Sequence, residues 1–131
     1  MRPLPLRLAP GDDVRRALED AVARAGCTAA FVVSGIGSLS CAELRLAGHA
    51  EATPLQGDLE ILTLAGTIAG AASHVHASVA DAAGAVLGGH LGYGSVVRTT
   101  CEVLLALLDE WAFSREPDTT TGCLELVVHR R

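Results

Sequence analysis

The stretch Cys101-Glu-Val-Leu-Leu-Ala-Leu-Leu108 decides the fold of this 131-residue chain. Its apolar side chains occupy both odd and even positions, so a strand at this place needs a cover on each of its two faces. In a domain of this size one cover is a helix packed on the sheet, and the natural second cover is another subunit. The stretch therefore predicts a buried strand in an oligomer. The alternative left open by the pattern is a buried helix over residues 101–108.

Short β-branched and apolar runs separated by glycines flank this stretch, and they predict an α+β fold with a largely antiparallel sheet. The segment Asp81-Ala-Ala-Gly84 between two runs predicts a hairpin turn. The segment Gly35-Ile-Gly-Ser-Leu-Ser40 predicts a tight bend, and residues 114–122 predict a polar loop. The expected strands cover residues 4–8, 30–34, 42–47, 59–65, 74–79, 85–87, 96–108 and 124–128.

One amphipathic helix is predicted after the turn Pro10-Gly-Asp-Asp13, which supplies an acidic N-cap. Gly26 follows the periodic segment and is expected just past the helix end, and the helix is expected to lie on the sheet. The length fits one domain over residues 1–131. The apolar positions that recur with helical spacing are Val14, Ala17, Leu18, Ala21, Val22 and Ala25.

The charged residues exclude several classes of function. Ten arginines, no lysine and fifteen acidic residues give a net charge of −5, which argues against a uniformly basic surface for nucleic acid. Without lysine the chain has no phosphate-binding lysine of the Walker type and no Schiff-base lysine. Histidine, carboxylate, hydroxyl and thiol chemistry remain.

The four cysteines are far apart, so neither a zinc ribbon nor a disulfide framework is indicated, and we expect reduced and mostly buried thiols. The N-terminal residues lack the features of a secretory signal, and no apolar stretch approaches the roughly 18 residues of a membrane span. The expected compartment is the cytoplasm. The cysteines are Cys27, Cys41, Cys101 and Cys123.

The clearest chemical feature is the segment His74-Val-His-Ala-Ser-Val79. On a strand the period of two places His74 and His76 on one face, with their Cα atoms about 7 Å apart, close enough to share a divalent ion. His90, inside Gly88-Gly-His-Leu-Gly-Tyr-Gly94, is a third candidate ligand. Three histidines with an open fourth position suit Zn²⁺, although imidazole also suits Ni²⁺, Cu²⁺ and Fe²⁺. The alternative is a set of hydrogen-bonded polar histidines at a subunit boundary without metal.

Other polar residues carry weaker signals. Asp58 and Glu60 share one face of a predicted strand and could form a general acid/base pair or supply a fourth ligand, although such carboxylates are more often a solvated face. Asp81 is a second candidate for proton transfer near the histidines. His49 and His129 have only generic neighbours, so we expect them on the solvated surface.

Six segments together resemble the PPC domain, the plant and prokaryote conserved domain, from about residue 5 to residue 128 and in the order of the family. The resemblance implies an antiparallel sheet flanked by helices and assembled as a homotrimer. It also implies that His74, His76 and His90 match positions where similar bacterial members hold a metal. The segments are Arg7-Leu-Ala-Pro-Gly-Asp-Asp13, Ser34-Gly-Ile-Gly-Ser-Leu39, Glu60-Ile-Leu-Thr-Leu-Ala-Gly-Thr67, His74-Val-His76, Gly88-Gly-His-Leu91 and Thr121-Gly-Cys-Leu-Glu-Leu126.

The resemblance to the family gives little reason to expect DNA binding by this chain. In the plant proteins that activity is attributed to an AT-hook with an Arg-Gly-Arg-Pro core, which is absent here, and three chains at −5 each would carry −15. The segment Gly57-Asp-Leu-Glu-Ile-Leu62 also departs from the Gly-Arg-Phe-Glu-Ile-Leu of the plant partner surface. Bacterial members are often labelled DNA-binding by similarity alone, and we expect no specific nucleic acid binding.

Two functional hypotheses follow. The first is a trimeric binding or regulatory module whose histidines hold Zn²⁺ and recruit a small anionic ligand or a protein partner. The second is a metal-dependent, hydrolase-like enzyme in which a metal-bound water reacts and Glu60 or Asp81 moves protons. The sequence names no substrate for the second.

Overall fold

The computed structural model describes all residues 1–131, as eight strands and one helix. The helix has 11 residues, too few to cross a membrane. All strand pairs are antiparallel, which confirms the α+β class with an antiparallel sheet, but a single helix stands where the resemblance implied several. The elements are β1 (Arg2–Leu8), α1 (Val14–Arg24), β2 (Ala29–Arg45), β3 (Thr53–Ala69), β4 (Ala72–Ala80), β5 (Val86–Leu91), β6 (Val96–Leu107), β7 (Trp111–Pro117) and β8 (Leu124–Arg130).

The main sheet has six strands in the order β1-β6-β2-β3-β4-β5. Strand β5 also returns to β2, where Leu44 pairs with Leu91 and Arg45 pairs with His90. Strands β2, β3, β4 and β5 therefore close on themselves and enclose an apolar interior, while alternate side chains point outward. The predicted hairpin turn at Asp81-Ala-Ala-Gly84 is confirmed, with Gly84 at a φ of +81°.

Helix α1 packs on this interior as the sequence predicted. Val14, Leu18 and Val22 are fully buried, and the Asp13 side chain accepts a hydrogen bond from the backbone N–H of Arg16 at 3.1 Å. That bond satisfies one of the amide groups left free at a helix start. The N-cap, the apolar stripe and the position of the helix are all confirmed.

The predicted bend at Gly35–Ser40 is wrong, because β2 runs without interruption through it. Neither Gly35 nor Gly37 has a positive φ. A Cβ at Gly37 would lie 2.5 Å from the carbonyl oxygen of Thr100, and one at Gly35 would lie 2.7 Å from Leu64 Cδ2. These glycines allow a close approach of neighbouring groups and are not turn residues.

The predicted polar loop at residues 114–122 is also wrong in its first half. Residues 114–117 belong to β7, which pairs with β8 in a separate two-stranded sheet, and the turn covers only residues 118–123. This hairpin packs on the main sheet through Phe113, which is buried with Ala29 and Ala69. One face of the hairpin stays solvated, and its polar residues concealed the strand pattern.

The doubly apolar stretch at residues 101–108 is a strand through residue 107, so the buried-helix alternative is wrong. Its inward side chains, including Val103 and Leu105, are buried, whereas the outward side chain of Leu104 is 39% exposed. Within one chain the outer cover of this strand is therefore incomplete.

All four cysteines are free, as expected. Cys27 and Cys101 are buried, and Cys41 is half-buried. Cys123 is exposed in the turn between β7 and β8, so the expectation of a core thiol is wrong there.

Candidate metal centre

Strand β4 alternates as predicted, with Val75 and Ala77 buried and the side chains of His74 and His76 on the outer face. The β4–β5 register places His90 directly opposite His76. His90 therefore lies within a strand, and the glycine-rich turn begins only after Leu91. The fold brings all three predicted histidines together on one wall of the same chain.

The ring nitrogens of the three histidines converge. One nitrogen from each ring lies within 4.8 Å of the others, and Nε2 of His74 is 3.0 Å from Nε2 of His76. Nitrogen ligands about 2.05 Å from a tetrahedral zinc ion are about 3.3 Å apart. A hydrogen bond between two imidazoles accounts for the 3.0 Å contact, but it does not account for the convergence of His90. The donor set fits a divalent metal ion.

The surroundings favour the neutral form of His74 and of His90. Burial, followed by the proximity of His76, His90 and Arg115, lowers the pKa of His74 below its ordinary value. Burial and the charge of Arg45 lower the pKa of His90, against a hydrogen bond to the Arg45 backbone that raises it. A neutral imidazole offers the lone pair that a metal requires. The pKa shifts therefore favour metal binding near neutral pH.

Two arginines beside the cluster were missed by the sequence analysis. Arg115 on β7 donates a 2.7 Å hydrogen bond from Nη2 to Oγ1 of Thr67, and Thr67 is the cross-strand partner of His74. Arg45, at the end of β2, is the cross-strand partner of His90. Residue 115 fell in the predicted loop, and both arginines are placed by long-range contacts, Arg115 by its hydrogen bond to Thr67 and Arg45 by the register of β2 with β5.

A polar network that the sequence analysis also missed attaches α1 to β4 next to His74. The Glu19 carboxylate accepts hydrogen bonds from the hydroxyls of Ser73 and Tyr93, the latter at 2.9 Å. Arg15 donates to Oγ and to the carbonyl oxygen of Ser73 at 2.8 and 2.7 Å. Burial and the hydrogen bond with Glu19 raise the pKa of Tyr93. The network fixes the residue that precedes the first histidine.

The predicted acid/base residues do not join the cluster. Asp58 and Glu60 form ion pairs with Arg98, at 3.0 and 3.7 Å. Both Asp58 and Glu60 are exposed, which agrees with the solvated-face interpretation.

Asp81 lies in the hairpin turn, where its carboxylate accepts hydrogen bonds from the backbone N–H groups of Ala83 and Ala85, each at 2.9 Å. The group of possible metal ligands contains the three histidines and no carboxylate. His49 and His129 are exposed, as expected.

Fold and site together define a small antiparallel β-domain that carries a cluster of three histidines on its outer wall. Comparison of the sequence with protein families identifies the family of this domain. The model of the Plants and Prokaryotes Conserved (PCC) domain matches residues 1–109, and the chain belongs to this family. The resemblance to the PPC domain is thereby confirmed. The match ends before β7, so the hairpin that carries Arg115 lies outside it.

Solved structures share the fold. A hypothetical protein from Salmonella cholerae-suis is 38% identical, with a TM-score of 0.95, covering 99% of this chain and 94% of that one. A metal-containing protein from Archaeoglobus fulgidus is 28% identical, with a TM-score of 0.78 and coverages of 97% and 94%. A protein from Ralstonia eutropha JMP134, named as a candidate DNA-binding protein, is 26% identical, with a TM-score of 0.77 and coverages of 94% and 89%.

A longer curated relative also contains a matching segment. The Bifunctional protein GlmU of Synechococcus sp. (strain JA-3-3Ab) is 45% identical over 130 residues, which are 99% of this chain and 21% of that protein. The chain thus spans about a fifth of the length of this relative.

Proposed function

We propose that this protein is a metal-binding module in which His74, His76 and His90 hold one Zn²⁺ ion and leave a fourth position open to an exogenous ligand. The observation that carries the proposal is the convergence of one ring nitrogen from each histidine within 4.8 Å. Closed structural zinc sites have four protein ligands, whereas three ligands are typical of sites that bind something else. The metal-containing relative from Archaeoglobus fulgidus supports the proposal.

The proposed module is a homotrimer. Its outer face exposes Val33, Ile36, Leu62 and Leu104 by 39 to 55%, and a contiguous apolar patch of this kind favours burial against another copy. Val33 follows Val32, which pairs with Gly66 on β3. Strand β3 is in turn the neighbour of β4, the strand that carries His76. The metal centre would therefore lie beside the subunit boundary.

A binding role agrees better with the structure than an enzymatic one. Glu60 and Asp81, the carboxylates that the hydrolase hypothesis required, form contacts away from the histidines. Binding of duplex DNA is disfavoured by the net charge of −5. The four free cysteines support a reducing compartment such as the cytoplasm.

Metal analysis tests the proposal. Untagged protein is purified by gel filtration, and metal and oligomer mass are measured on the same peak. We expect about one zinc per chain in the wild type and in His49→Ala, whose side chain is exposed, and background metal in His76→Ala and His90→Ala. Retention of wild-type metal by both cluster variants, with the fold intact, would show that the site is misassigned.

A further inference from the structure

We propose that the ligand at the open metal position is a small oxyanion, a carboxylate or a phosphate, and that Arg115 and Arg45 bind it from two sides of the histidine cluster. This inference rests on the proposed metal site and adds the chemical class of its ligand. It assigns a role to Arg115 on the β7–β8 hairpin, outside the residues that the family model matches.

Arg115 is held in place but is not neutralised. It is half-buried, and Phe113, two residues earlier on the same face of β7, is buried against the main sheet. Its hydrogen bond to Thr67 Oγ1 uses one of the five N–H groups of the guanidinium. None of the seven ion pairs of the chain includes Arg115. A fixed guanidinium with free donors is the group best suited to an oxyanion.

Arg45 lies on the opposite side of the cluster. A Cβ added to Gly89 would lie 2.5 Å from the Arg45 carbonyl oxygen, so the backbones of β2 and β5 are in close contact beside His90. The only hydrogen bond of the Arg45 side chain is a 3.4 Å contact with the carbonyl oxygen of His49, and it forms no ion pair. Its guanidinium is therefore available to a ligand.

The charges select an anion. Three neutral imidazoles do not compensate a divalent ion, and the two arginines add further positive charge at the same wall. No carboxylate belongs to the ligand cluster, although the charge of Glu125 acts on His74 and offsets part of the positive charge. A negative ligand at the open position balances this local excess of positive charge, in a chain whose net charge is −5. A neutral ligand can accept hydrogen bonds from the arginines but does not compensate their charge or that of the metal ion, so it gains less.

The test uses protein loaded with Co²⁺ in place of zinc, because the visible spectrum of the ion reports ligand exchange without an activity assay. The wild type, Arg115→Gln, Arg45→Gln and the control Arg24→Gln are titrated with malonate, with inorganic phosphate and with neutral malonamide. Arg24 is exposed and forms no ion pair, so the control removes one charge away from the cluster.

We expect the wild type and Arg24→Gln to bind at least one of the two anions and not malonamide, and the stronger anion to identify the carboxylate or the phosphate class. Arg115→Gln and Arg45→Gln should each bind that anion about tenfold more weakly, which corresponds to the loss of about one charged hydrogen bond. Equal affinity in Arg115→Gln, Arg45→Gln and the wild type, or equal binding of malonamide, overturns the inference while the metal site stands. A wild type that takes up no cobalt overturns the proposed function itself.

Discussion

His76 and His90 face each other directly across the β4–β5 ladder, with ring centroids 4.5 Å apart and ring planes at 76°. The register of a single hairpin therefore creates the centre of the cluster. A slip of one residue would turn one of the two imidazoles toward the apolar interior. The predictions below test this arrangement and its surroundings.

The first prediction concerns pH. Because the pKa of His74 is lowered in the folded protein, the unfolded chain binds more protons below the ordinary value of 6.5. The free energy of unfolding of the metal-free protein should therefore fall as pH decreases from about 6.5. The midpoints of urea unfolding at about pH 7.5 and about pH 5.5 measure this change in the free energy of unfolding. His74→Gln should reduce the pH dependence, and His49→Ala should not. An identical dependence in His74→Gln and the wild type would contradict the prediction.

The second prediction concerns Gly66. A Cβ at this position would lie 2.2 Å from the carbonyl oxygen of His74 and 2.7 Å from Cα of Val75, so Gly66→Ala must push β4 away from β3. We expect a loss of about 1 to 3 kcal/mol in the free energy of unfolding, together with weaker metal binding. Gly88→Ala is the matched control, because its Cβ would come no nearer than 3.3 Å to its neighbours. Thermal unfolding and metal content are the measurements, and equal effects of the two variants would count against the explanation.

The third prediction concerns assembly. Ile36 is 55% exposed on the outer face of β2, and Ile36→Glu should place a charge in the proposed trimer interface. Light scattering after gel filtration should then give the mass of one chain, with an unchanged circular dichroism spectrum. Leu124→Glu is the control, because Leu124 is 62% exposed on the β7–β8 hairpin, away from the apolar patch. A trimer in both variants would place the interface elsewhere.

The fourth prediction concerns Tyr93. Its hydroxyl donates to the Glu19 carboxylate, and the guanidinium groups of Arg15 and Arg16 lie 4.2 and 4.4 Å from the centre of its ring. Tyr93→Phe keeps the ring and removes the hydrogen bond, so a loss of about 1 kcal/mol is expected for this partly exposed group. Chemical denaturation measures it. No loss of stability would show that the hydroxyl contributes nothing at this position.

The fifth prediction concerns thiol reactivity. Burial raises the pKa of Cys101 to about 11, whereas Cys123 is exposed in a turn. Only the thiolate is nucleophilic, so iodoacetamide at about pH 8 should modify Cys123 first and Cys101 only after unfolding. Peptide mass spectrometry distinguishes the two sites. Equal rates at Cys101 and Cys123 in the native protein would contradict the described burial.

The local sequence pattern was sufficient to predict the helix, the antiparallel strands and the three histidines of the cluster. Capping at Asp13 and alternation along β4 are properties of neighbouring residues, so the sequence displays them directly. Gly35 and Gly37 were misinterpreted because a glycine that accommodates a neighbouring strand has the same appearance in sequence as a glycine in a turn.

The rest of the site depends on long-range pairing. Arg115 reaches the cluster through a hydrogen bond to Thr67, 48 residues away in the chain, and Arg45 through its register with His90. Neither relation leaves a periodic signal in one sequence. Glu60 was a candidate because it shares a strand face with Asp58, and Asp81 because it follows the histidine strand, but the fold directs both carboxylates to other partners.

Strand β1 gives the protein protection against uncontrolled self-association. At one side of the main sheet β5 pairs back onto β2 through Leu91 and His90, and at the other side β1 is a free edge. Pro3 and Pro5 lie within that strand, and proline has no amide hydrogen to offer an approaching chain. The edge therefore cannot template a continuous cross-molecular ladder. Growth into fibrils by strand addition is blocked at this border, and ordered assembly is left to side-chain surfaces.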